Sequence, residues 1–171
     1  MTEKYEKGTF LVYDTYGVCE VTEVRRMKFS KTAPLQTYYV LTPINSHNST
    51  FYLPADNKEL CARLRKPMSE KQIKDLLSAA EGNSFEWIDN RQIRNENFHR
   101  ILDKGITPEL IGLIICLYKR KLALDETGKR LSSTDEGFLS SAEKLVNEEF
   151  AFSLSIGREE VAEYIRSFFE A

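Results

Sequence analysis

Near Lys66-Pro67-Met68-Ser69 the apolar residues of this chain stop alternating and begin to recur every three to four positions. Alternation lines the two faces of a strand, whereas a recurrence near 3.6 lines one face of a helix. Strand signals all come first and helix signals all follow. A segregated order of this kind predicts an α+β protein of two domains, residues 1–66 and 67–171.

Segments 8–13, 16–24, 37–42 and 49–54 are short and rich in Val, Tyr, Phe, Leu and Thr, side chains that suit a pleated, half-buried surface. Turn chemistry separates them: Asp14-Thr15-Tyr16-Gly17, a loop over 28–34, and the run from Pro43 to Asn48. In the second segment Val18, Glu20, Thr22 and Val24 are expected on one face, with Cys19, Val21 and Glu23 on the other. Residues 61–65 offer a last strand. Short strands packed this closely predict a small, strongly bent β-barrel of the SH3 or Tudor kind. Such a barrel is a common recognition module, but its fold does not name its ligand.

Ser69-x-x-Gln72 is a capping box opening a helix with Ile73, Leu76 and Leu77 on its apolar side and Gly82 as its stop. Ser84 is the expected cap of a second helix, which carries Trp87 and ends at Lys104-Gly105, with Ile93, Phe98, Ile101 and Leu102 toward a core. Thr107-Pro108-Glu109 starts a third with a hydroxyl cap, Pro at the first helical position and a carboxylate at the positive dipole end. Apolar almost all round to about Ala123, that helix is the expected centre of the bundle. Ser133-x-x-Glu136 predicts a fourth helix bearing Phe138, Leu139, Ala142, Leu145, Val146 and Phe150. A fifth begins near Gly157 and bears Val161, Tyr164, Ile165, Phe168 and Phe169. The expected architecture is the small barrel followed by an all-α bundle of about five helices.

Composition narrows the function. The longest apolar run, residues 110–117, is too short to span a bilayer, and residues 1–10 lack the apolar core of a signal peptide. Cys19, Cys61 and Cys116 are odd in number and far apart, which suggests neither a disulfide framework nor a zinc site and fits a cytoplasmic location. The best catalytic pairing available is Cys116 or Cys61 with His99 or His47. Cys116 lies in an apolar helix, where a thiol is normally inert, and no glycine-rich phosphate loop is present. No enzymatic activity, cofactor or metal is expected.

The net charge of −2 argues against a simple nucleic-acid binder. Residues 1–66 carry ten Lys and Arg against seven Asp and Glu, and residues 67–171 carry fourteen against nineteen. Any DNA contact in the acidic helical half must come from a local patch. Two stretches qualify. Trp87, the only tryptophan, lies one helical turn before Arg91, and Arg91 and Arg94 are three apart and so neighbours on one helix face. An aromatic ring beside guanidinium groups can stack on bases while the cations hold phosphates; it can equally cap a core beside a solvated helix face. The second stretch is Lys119-Arg120-Lys121 with Lys129 and Arg130, interrupted by Asp125 and Glu126. It serves phosphates or, as an alternative, helix-end capping and solubility.

The order of these features resembles the CarD/CdnL-type transcription regulators of bacteria, whose barrel is similar to the RNA-polymerase-interacting domain of transcription-repair coupling factors. The resemblance opens with Gly8-x-x-x-Val12-Tyr13-x-x-x-Gly17-Val18 and continues through Tyr38-Tyr39-Val40-Leu41 and Tyr52-Leu53-Pro54-Ala55-Asp56-Asn57. It then takes in the stretch from Glu86-Trp87 to Arg100-Ile101-Leu102, Leu117-Tyr118-Lys119-Arg120, and the segment 139–149. The chain departs from the family pattern at Asp14, where a proline is usual, at Tyr52, where a basic residue is common, and in a longer stretch from Trp87 to Asn97. The resemblance implies a non-enzymatic regulator with RNA polymerase β subunit and promoter DNA as partners and no membrane association. The docking edge would be Ser49, Thr50, Phe51, Tyr52, Leu53 and Pro54, flanked by Arg25 and Arg26. Trp87 would be the wedge at the upstream edge of the transcription bubble, with Arg91, Arg94, Lys119, Arg120, Lys121, Lys129 and Arg130 toward phosphates and an effect on open-complex stability. The rival expectation is a protein–protein adaptor without DNA contact, its terminal Phe168 and Phe169 serving a second partner.

Overall fold

Among the described residues five strands form where Val, Tyr, Phe, Leu and Thr cluster: β1 (Phe10–Tyr13), β2 (Val18–Met27), β3 (Gln36–Pro43), β4 (Phe51–Pro54) and β5 (Leu64–Arg65). They build one antiparallel sheet in the order β4-β3-β2-β1-β5, so among the described strands β4 pairs with β3 alone. A single helical turn, α1 (Lys58–Cys61), is capped by Asn57 and precedes β5. This computed structural model describes residues 5–46, 48–80 and 85–170, with side chains to residue 168. The chain divides after Pro67 into two compact units. The first encloses Leu11, Tyr13, Cys19, Val21, Tyr39, Leu41, Leu53 and Leu64.

Strict alternation in β2 holds only to Val21. Val21 pairs with Leu41 and Glu23 with Val40, which leaves Thr22 as the extra residue of a bulge. Beyond it the faces exchange, so Glu23 joins the Val40 side and Val24 the Tyr39 side, the reverse of the sequence expectation. The bulge keeps the Glu23 carboxylate off the apolar face of Val21 and Leu41, and the Thr22 hydroxyl donates to the Val40 carbonyl at 3.2 Å.

The departure at Asp14 has a local cause. Asp14 has φ +49°, in the left-handed region that aspartate tolerates and proline cannot reach. Its N–H also donates to the Arg63 carbonyl at 3.2 Å, continuing the β1–β5 ladder. Asp14→Pro is expected to cost about 1–3 kcal/mol from backbone strain alone, while Asp14→Gly should be neutral or slightly stabilising. Urea unfolding of the two variants checks the contrast, and equal midpoints would exclude the left-handed turn.

The second unit contains α2 (Glu70–Ala80), α3 (Arg91–Lys104), α4 (Thr107–Asp125), α5 (Ser133–Leu154) and α6 (Arg158–Glu170). Leu110, Ile111, Leu113, Ile114 and Leu117 of α4 are buried in the common core with Ile73, Leu77, Phe98, Ile101, Phe138, Val146, Phe150 and Val161. The capping box at α2 forms in both directions: Ser69 N–H donates to Gln72 Oε1 at 2.8 Å and Gln72 N–H to Ser69 Oγ at 3.2 Å. Three other helix starts differ from expectation. In α5 the cap is Ser132, one residue earlier than Ser133, with its Oγ accepting from Asp135 N–H at 3.1 Å. In α4 the cap position is Ile106, without a side-chain bond, and Thr107 is already helical and buried. The helix expected from Ser84 starts at Arg91 instead; Gly82 and Ser84 lie outside the described residues.

Candidate functional site

Residues 85–90 carry no regular secondary structure, and Trp87 therefore precedes α3 instead of riding on it. Bulky and β-branched side chains at Phe85, Trp87 and Ile88 are weak helix formers. Asn90 is a strong cap, its Oδ1 accepting from Ile93 N–H at 3.1 Å. Local preference and capping together put the boundary at Arg91.

Three attachments hold this lead-in. The Phe85 ring lies over Gly112 of α4, where an added Cβ would come within 2.6 Å of the ring. The Trp87 ring meets Phe98 edge-on with centroids 6.4 Å apart. Arg94 Nη1 donates to the carbonyls of Ile88 at 2.9 Å and Asp89 at 3.3 Å. Gly112→Ala is thus expected to displace Phe85 and loosen the Trp87 segment with little loss of global stability, because Phe85 is partly exposed. A change in Trp87 emission at an unaltered unfolding midpoint is the expected signature.

Arg94 is where the structure corrects the sequence most. It was expected to face phosphates, yet it is 8% exposed and paired with Asp135, the two guanidinium–carboxylate distances both 3.4 Å. Ile93, expected in the core, is 54% exposed. The buried stripe of α3 runs through Arg94, Phe98 and Ile101. Asp135 lies in the first turn of α5, where its carboxylate also accepts from Ser132 Oγ at 2.9 Å. A buried guanidinium needs such partners, and the lead-in carbonyls and Asp135 supply them.

Trp87 is half-buried against the core, and two guanidinium carbons lie near its ring centroid, Arg94 Cζ at 4.4 Å and Arg120 Cζ at 4.9 Å. Cation–ring contacts at these distances are worth about 0.5–2 kcal/mol each, depending on exposure. The fold therefore brings the basic stretch of α4 to Trp87 through Arg120, with Lys119 and Lys121 exposed on either side of it in sequence. Arg91 is exposed in the first turn of α3, and Lys129 and Arg130 are exposed in the connection to α5. Sequence reasoning missed Phe85, Gly112 and Asp135 as supports. Only the serine cap before Asp135 hinted at one of them.

In the first unit β4 covers Phe51–Pro54, while Ser49 and Thr50 precede the strand without regular structure, and Ser49 N–H donates to the Ser46 carbonyl at 3.2 Å. Leu53 is buried, Phe51 and Pro54 are half-buried and Tyr52 is exposed. Arg25 and Arg26 do not flank this edge. They lie on β2 opposite Tyr38 and Thr37 of β3, so β3 stands between them and β4, and Arg25 pairs with Glu23 at 3.1 Å.

The thiol–imidazole pairing finds little to work with. Cys116 is buried and its thiol is pushed up, first by burial and also by Asp135, against Lys119 and Arg94, which lower it. Cys61 is pushed up by burial and by Asp56, and His99 stacks edge-on against Phe138 while His47 lies outside the described residues. In native protein at neutral pH, maleimide is expected to label half-buried Cys61 before Cys19 or Cys116, which should react only on unfolding; mass spectrometry of labelled peptides checks the order. Among the described residues no cluster of His, Cys, Asp and Glu is placed to hold a metal ion, and no helix is long and apolar enough to cross a membrane.

Residues 5–68 match the family model described as CarD-like/TRCF RID domain. No curated protein matches the chain.

Proposed function

We propose that this chain, whose first unit is a CarD-like/TRCF RNA-polymerase-interacting domain, is a cytoplasmic, non-enzymatic transcription regulator that docks on the polymerase β subunit and contacts promoter DNA through its helical unit. Docking uses strand addition at β4, whose outer edge is unpaired with any other described strand. The strand is only four residues long and ends in Pro54, which limits indiscriminate pairing. Trp87 is the DNA wedge at the upstream edge of the melted bubble, and Arg120, Lys119, Lys121, Arg91, Lys129 and Arg130 are the cations toward phosphates. Arg94 supports the ring from inside.

The observation that carries the DNA half is the partly buried Trp87, whose ring lies beside Arg120 of the basic stretch. Unstacking costs a few kcal/mol and least where the duplex is already opening. Anchoring on polymerase raises the local concentration of the helical unit, so an acidic unit with one basic patch needs little intrinsic affinity for DNA. Phosphate contacts position without reading bases, and the binding should carry little sequence preference.

Trp87→Ala tests this. Loss of a stacked ring is worth about 1–3 kcal/mol per base, so the effect on open-complex lifetime should fall roughly tenfold while polymerase binding by the full chain persists. Binding of forked DNA should weaken as salt rises, because phosphate contact releases counterions. An unaltered open-complex lifetime, or no salt dependence, favours the adaptor reading instead.

A further inference from the structure

Directly paired residues of a sheet share a face. Tyr52 of β4 pairs with Val40 of β3, and Pro54 with Tyr38, so these four lie together on the face opposite Tyr39, Leu41 and Leu53. Phe29, from the β2–β3 connection, reaches over this face. Its ring stands edge-on to Tyr38 at 4.8 Å and to Tyr52 at 5.5 Å, with interplanar angles of 81° and 89°. Tyr38 is 4% exposed and its hydroxyl accepts from Gln36 Nε2 at 2.6 Å, which fixes the base of the group. Phe29 and Tyr52, by contrast, are 55% and 41% exposed. Two large rings held in edge-to-face order at the open rim of a sheet form a rigid apolar ledge.

The charges around the ledge indicate what it meets. On the sheet face itself the nearest cation given by the register is Arg25, two strands away on β2 and already paired with Glu23, while exposed Lys28 and Lys31 belong to the connection beside Phe29. Nothing charged on β4 itself offers to neutralise a carboxylate at this position. We infer that the Phe29–Tyr52 ledge is a specificity surface for the docked polymerase strand, and that the residue opposite Tyr52 is a bulky apolar one, an aliphatic or an aromatic side chain, instead of an acidic one. A strand added to β4 places its cross-strand side chain against Tyr52, and Phe29 closes over it from the hairpin. Aromatic and aliphatic cross-strand pairs are the favourable partners of such a site.

This inference rests on the strand-addition reading above. Its test is the affinity of the full chain for RNA polymerase core enzyme. Phe29→Ala with Tyr52→Ala should weaken binding by roughly tenfold or more, the behaviour of a central aromatic anchor. Tyr52→Phe should bind within about twofold of the parent, because the ring and not the hydroxyl makes the ledge. Tyr52→Arg should weaken binding, and tighter binding by Tyr52→Arg would mean a carboxylate partner and overturn the inference. Equal affinity of the double alanine variant would overturn it too while leaving the docking reading intact. Failure of the parent chain to bind core enzyme would remove both.

Discussion

Arg94→Ala is expected to destabilise the helical unit by about 3–5 kcal/mol, the cost of leaving one member of a buried ion pair without its partner. The Asp135 carboxylate would then lie buried beside α3 with the Ser132 hydroxyl as its remaining donor. The carbonyls of Ile88 and Asp89 would lose their donor as well. Arg94→Lys should recover part of the loss, since an ammonium cannot serve a carboxylate and two carbonyls with one planar fork. Replacing both members, Arg94→Met with Asp135→Leu, should cost less than Arg94→Ala alone, because no buried charge is stranded. Urea unfolding followed by Trp87 emission and by far-ultraviolet circular dichroism measures all three. A loss below about 1 kcal/mol for Arg94→Ala would place this guanidinium in the class of surface pairs and return it to the candidates for phosphate contact.

Phe150→Ala should be of similar size, about 3–5 kcal/mol, for a different reason. The ring is fully buried, the largest such side chain among the described residues, in the common core of the helical unit. Its removal leaves a cavity that rigid neighbours close only in part, so transfer and cavity terms add. The comparison with Trp87 decides between the two roles an indole can have. Trp87 is only partly buried, and Trp87→Ala should cost clearly less than Phe150→Ala. Equal losses would make Trp87 a core residue and leave the wedge without a basis, whereas a small loss combined with a large change in open-complex lifetime supports it.

These two residues also show how far one-dimensional patterns reach. Phe150 was identifiable as core from its place in the stripe Phe138, Ala142, Leu145, Val146, because apolar recurrence at helical spacing has few other uses. Arg94 escapes the pattern because it occupies a core position of α3 with a charged side chain. Ile93 beside it offered a more ordinary candidate for burial. Helical spacing indicates which residues share a face, but an arginine with a remote partner 41 positions on reads in sequence like any exposed cation. Trp87 precedes α3 instead of lying on it for a related reason. The aromatic lead-in and the helix both fit an amphipathic pattern, and the decision rested on the Asn90 cap and on anchors from α4. The exchange of faces in β2 follows the same rule: a bulge adds one residue without leaving a compositional mark.

The sequence by itself determined the strand-then-helix order, the mainly apolar positions of both cores, the capping box of α2, and the resemblance that the domain match over residues 5–68 supports for the first unit. All of these depend on neighbours within about a turn or a hairpin, or on the order of short motifs. Only the tertiary structure decided that Arg94 faces inward, that Arg120 and not Arg91 accompanies Trp87, and that Phe29 joins Tyr52 beside the sheet edge. Those outcomes depend on side chains from distant segments meeting in three dimensions, where a buried charge must find its partner and an exposed ring keeps whatever neighbour the fold supplies.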